Sequence, residues 1–209
     1  MATYYLYSPI DGKSWGQACY CKKSYKCGGV SKNCRNTTPC YDSGCSDGAS
    51  VCNHFNIIFG GMLDISGTLG NAVNFYASSN IKSIEIKHVK YCCGSRSEPW
   101  TWGLEVHVYC NENYTGYIGK VLYCHVENRI AAGKYNTGLW GKQIATLPKN
   151  CNCACSKGIH VHMESPGTSN SFSCDANLTK GSTWVYKWVI GNCAQYVGVT
   201  ADASLPAVR

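Results

Sequence analysis

The chain has 209 residues, 16 cysteines, 22 glycines and a formal charge of +7. That length allows one sizeable core, and that cysteine content excludes an ordinary reducing cytosolic protein; it points to disulfides formed in an oxidising compartment. No apolar run is long enough for a membrane-spanning helix, and no nucleic-acid motif is present.

The opening stretch, "MATYYLYSPIDGK", has neither the basic region nor the apolar region of a signal peptide, so secretion implies a leader already removed. Three sequons, at Asn36, Asn113 and Asn177, agree with the cysteines and favour a secreted, extracellular glycoprotein. Residues 1–53 hold seven cysteines among Gly, Ser, Asn and Lys, and are expected to be a loop-rich, disulfide-stapled segment. They include the densest basic patch, "CKKSYKC". A diffuse positive charge suits an acidic surface such as a polyanionic glycan, but reads first as plain solubility.

Residues 54–165 read as β. "FNIIF", "AVNFYA", "IKSIEIKHVKY", "GLEVHVYC", "KVLYCHV" and "GIHVHM" are short runs rich in β-branched and aromatic residues, separated by Gly and Asn turns. In "GLEVHVYC", Leu104, Val106 and Val108 oppose Glu105, His107 and Tyr109; in "VLYCHV", Val121, Tyr123 and His125 oppose Leu122, Cys124 and Val126. His88 and His107 are expected on exposed polar faces. Residues 166–209 add one strand, "STWVYKWVI", and a polar tail packed on the main domain. No window shows 3.6-residue periodicity, so the expected class is all-β with an antiparallel core. "EPWTWG" and "TWVYKWV" offer either a stacking surface for sugar rings or core packing, with Trp184, Tyr186 and Trp188 alternating as core residues would. "CNCAC" (Cys151, Cys153, Cys155) reads as disulfide partners before a soft-metal site.

Chemistry concentrates in "GIHVHMES". On a strand, His160 and His162 share one face while Ile159, Val161 and Met163 share the other. Two adjacent imidazoles can ligate a metal, or one can ligate while its neighbour moves protons.

The succession "GGMLDISGTLGNAVNFYASSN", "WGLEVHVYC", "GKVLYCHVEN", "AAGKYNTGLWGKQIATLPKN", "GIHVHMES" resembles the lysostaphin/LytM-type zinc endopeptidases, including their secreted animal branch, the leukocyte cell-derived chemotaxin 2-like proteins. The resemblance implies an antiparallel core of that type, with disulfide-stapled extensions and a zinc site. In that pattern Asp64 and His162 correspond to zinc ligands, while His125 and His160 correspond to the catalytic histidines. The sequence departs at one place: the family's histidine four residues before the aspartate is Gly60 here, and the histidine upstream of it is His54, ten residues before Asp64. His54 would complete the metal set only if the chain folded back.

Three functions are consistent with these features. The first is a degenerate zinc-endopeptidase-like site used for metal-dependent recognition of a peptide, glycan or extracellular protein. The second is an active zinc metalloendopeptidase cleaving glycine-containing peptides such as cell-wall bridges. The third is a structural extracellular protein made rigid by disulfides.

Overall fold

The computed structural model describes residues 1–14, 25–27, 30–32, 62–92, 100–149, 159–165, 170–172, 177–191 and 193. His54, Gly60, the "FNIIF" run and "CNCAC" lie outside the described residues, as does the sequon at Asn36. The expectation of an all-β, antiparallel chain is met. Fifteen strands are described: β1 (Ala2–Tyr7), β2 (Gly12–Lys13), β3 (Tyr25–Cys27), β4 (Val30–Lys32), β5 (Met62–Ser66), β6 (Ala72–Phe75), β7 (Ser83–Cys92), β8 (Trp100–Tyr109), β9 (Tyr117–Cys124), β10 (Gly133–Tyr135), β11 (Lys142–Thr146), β12 (His160–Glu164), β13 (Asn170–Phe172), β14 (Asn177–Leu178) and β15 (Trp184–Ile190).

The main sheet has six strands in the order β10-β7-β8-β9-β12-β5, every pair antiparallel. Alternation explains why it forms. One face collects Leu63, Ile65, Ile84, Ile86, Leu104, Val106, Val108, Val121, Val161 and Met163, all buried. Burying each such side chain stabilises by roughly 1.5–3 kcal/mol. A second sheet, β1-β15-β13, supplies the opposing apolar face with Tyr4, Leu6, Tyr186, Trp188 and Ile190. All of these residues belong to one hydrophobic cluster, joined by Val73 and Phe75 of β6 and Ile144 of β11.

Two contacts hold the sheets together. The Tyr186 hydroxyl donates to the Met163 carbonyl at 2.9 Å. The Trp188 indole lies over Gly119, where a Cβ would stand 2.7 Å from Nε1, so only glycine allows the approach. A disulfide from Cys110 to Cys193 ties the β8–β9 hairpin to the chain beyond β15.

β1 lies within residues 1–53, which are expected to be loop-rich. It nevertheless pairs with β15 and carries Tyr4 and Leu6 into the common core. The expectation that Trp184, Tyr186 and Trp188 all pack inward holds for the last two only. The β1–β15 register shifts between Leu6 and Tyr7, so that Leu6 faces Tyr186 and Tyr7 faces Trp184. One extra residue on β15 reverses the side on which Trp184 emerges.

Candidate functional site

The polar face of the six-stranded sheet carries the site. In the β5–β12 register His162 stands directly opposite Asp64, and in the β12–β9 register it stands opposite Cys124. The pairing brings side chains 98 residues apart into contact: His162 Nδ1 lies 2.7 Å from Asp64 Oδ1. The other nitrogen of the same ring, Nε2, lies 2.8 Å from Glu164 Oε1. His160 Nε2 is 3.7 Å from Asp64 Oδ1. Asp64, His160, His162 and Glu164 are all buried, and β12 as a whole is buried rather than half-exposed.

His125 reaches the group by a backbone device. Alternation from Val121 and Tyr123 would send it to the apolar face. Instead β9 ends at Cys124 and His125 takes a φ of 60°. Its ring then sits 4.9 Å from that of His160 and 5.9 Å from that of His162, edge to face with both. A left-handed conformation disfavours an L-residue by roughly 1–2 kcal/mol, and such strain persists where the surroundings fix it.

Burial, and after it the charge of Asp64, push the Glu164 carboxyl up to about 8. The Tyr186 hydroxyl is raised well above its ordinary range, first by burial and then by Glu164. The cluster is thus a set of three imidazoles and two carboxyls, all buried but the half-buried His125, where electrostatic interactions are stronger than in water.

Four of the five site residues expected from the sequence, Asp64, His125, His160 and His162, therefore lie together; His54 lies outside the described residues. Among the described residues no group of three or more His, Cys, Asp or Glu side chains is arranged to hold a metal ion by itself. Asp64 and His162 nonetheless fit zinc in kind. The two are joined by a direct hydrogen bond, which zinc on Nδ1 would replace, and the far nitrogen of the imidazole is fixed by a carboxyl, as in many histidine–metal sites.

The same face carries a second polar cluster. His107, expected on an exposed face, is fully buried. Its Nε2 lies 2.5 Å from Glu105 Oε1, and Lys120 Nζ donates to Glu105 Oε2 at 3.0 Å. Burial alone would raise the Glu105 carboxyl, but hydrogen bonds from His107 and Lys120, together with their charges, hold it down at about 2. The signal was an acid two residues before a histidine on one strand, but the partner Lys120 depends on the β8–β9 register. His88, also expected to be exposed, is so, with Nε2 2.7 Å from the Ile130 carbonyl.

No protein-family model matches this chain, and neither a curated protein nor a solved structure matches it. Among the described residues no helix is long and apolar enough to cross a membrane.

Proposed function

We propose that the cluster is a metal-dependent recognition site of the lysostaphin/LytM kind, in a secreted, disulfide-rich protein, with Asp64 and His162 as zinc ligands. The observation that carries this reading is the convergence of Asp64, His125, His160 and His162 at one place, with Glu164 holding the far ring nitrogen of His162. Bound zinc would supply a Lewis acid for a carbonyl or acidic oxygen of the partner. His125 and His160 lie beside the ligand pair and would donate hydrogen bonds to the same oxygen. Glu164 would keep the His162 ring oriented. Gly60 stands where the family pattern has a metal-binding histidine, which favours recognition of a peptide, glycan or extracellular protein over turnover.

The convergence of His125 and His160 on His162 supports a second reading, an active zinc endopeptidase cleaving glycine-containing peptides. In that case the two imidazoles would move a proton and stabilise developing charge on the attacked carbonyl.

Titration calorimetry with zinc, combined with a pentaglycine cleavage assay, tests both. The recognition reading expects one zinc per chain, lost in Asp64→Ala and in His162→Ala, with pentaglycine left intact. Cleavage abolished by His160→Ala while zinc is retained would establish the second reading. No zinc binding at all would refute both.

A further inference from the structure

A row of aromatic rings runs from the outer face of the β1-β15-β13 sheet, where Tyr5, Tyr7 and Trp184 lie, onto Trp140 and Tyr76 outside that sheet, and none of the five belongs to the core cluster. The register shift that turns Trp184 outward places it beside Tyr5, with ring centroids 6.3 Å apart. Tyr5 stacks with Tyr7 at 6.3 Å, Tyr7 meets Trp140 edge-on at 5.8 Å, and Trp140 meets Tyr76 edge-on at 5.1 Å. Trp140 is 60 % exposed, so much of its indole stays open to solvent beside Tyr7 and Tyr76. The row is held rather than loose: Tyr76 rests against Gly181, whose φ of 69° and close approach (a Cβ would lie 3.1 Å from the ring) both require glycine. Lys187 Nζ sits over the Trp184 ring at 5.8 Å. The strand sequences "ATYYLY", "WVYKWVI" and "NSF" contain one lysine and no aspartate or glutamate, while at the Tyr76 end Lys142 and Lys180 adjoin the two glycines that face its ring and Asp11 accepts from the Lys180 N–H.

We infer that this row is a binding platform for an acidic polysaccharide, a chain of uronate-bearing pyranoses. The apolar C–H faces of pyranose rings stack on exposed indole and phenol faces. Lys187, at the Trp184 end, is placed to meet a uronate carboxylate, and the chain's charge of +7 favours an anionic ligand at longer range. Rings already fixed by neighbours lose little entropy on binding. Single-stranded nucleic acid also stacks on aromatic rows, but it needs a cationic groove that follows every phosphate, and the three strands contain one lysine and no arginine. The platform lies on a different sheet from the histidine cluster, and this inference stands without the zinc reading.

The test is titration of the full chain with galacturonate and guluronate hexasaccharides, followed by tryptophan fluorescence and calorimetry. Cellohexaose and an oligothymidylate serve as comparisons. The expected result is saturable binding to at least one acidic hexasaccharide, weakened by salt. Trp140→Ala, an exposed position, should reduce affinity by about tenfold or more while leaving the melting temperature and zinc titration unchanged. Lys187→Gln should weaken binding by a few fold and reduce its salt dependence. Absence of binding to both acidic hexasaccharides would overturn the inference, as would undiminished binding by Trp140→Ala. Equal affinity for cellohexaose would overturn the acidic assignment, and tighter binding of oligothymidylate would reassign the row to nucleic acid.

Discussion

Replacing Glu105 by glutamine should destabilise the protein by about 3 kcal/mol at neutral pH. A carboxyl held at about 2 against an ordinary value of 4.5 has its ionised form favoured by about 3 kcal/mol in the folded state. A second argument gives the same scale. Lys120 and Glu105 are about nine-tenths buried, their ion pair spans 3.0 Å, and removing one partner of such a pair costs about 3–5 kcal/mol. For a chain of this size the melting temperature should fall by roughly 6–12 °C. The carboxyl's folded value is depressed, so its contribution is fully present above about 4.5 and disappears as pH falls towards about 2. Thermal unfolding of the wild type and Glu105→Gln, followed by circular dichroism from pH 7 down to pH 2.5, should show a gap that closes over that range. The double variant Glu105→Gln/Lys120→Met should be more stable than the sum of the two single changes predicts, because the second removes the ammonium left stranded by the first. A gap below about 1 kcal/mol at pH 7, or one independent of pH, would refute the reasoning.

Two further outcomes follow from the core. The Tyr123 hydroxyl is buried with no hydrogen-bond partner among the described residues, and burial raises its pKa well above the ordinary phenol range. Tyr123→Phe should therefore be neutral or stabilising by about 1 kcal/mol in denaturant titrations; a loss of more than about 1 kcal/mol would contradict the absence of a partner. The Cys110–Cys193 bridge closes a loop with a sequence separation of 83, so Cys110→Ser/Cys193→Ser should lower stability by about 4 kcal/mol in the same assay.

The sequence made the strands legible where alternation was clean. β7, β8, β9, β12 and β15 stand where β-branched and aromatic runs placed them, and the sides of Glu105 and Val106 follow the pleat. It also made legible that His160 and His162 share a face, since a period of two needs no partner strand. What alternation could not carry were the local breaks. His125 reaches the cluster through a left-handed residue after β9, and Trp184 changes sides through a bulge against β1. Neither has a periodic signature. The burial of His107 is not legible either, because a histidine opposite Lys120 is exposed or buried according to what covers that face, and a strand's own sequence does not specify its cover.

The most direct test of the histidine site is an anomalous difference map recorded at the zinc edge, from crystals of the full chain grown with one equivalent of zinc. A single peak bonded to Asp64 Oδ1 and His162 Nδ1, with the His125 and His160 rings beside it, is the expected result. A peak bonded elsewhere, or an undisturbed Asp64–His162 contact with no zinc between the two side chains, would contradict the assignment of that pair as metal ligands.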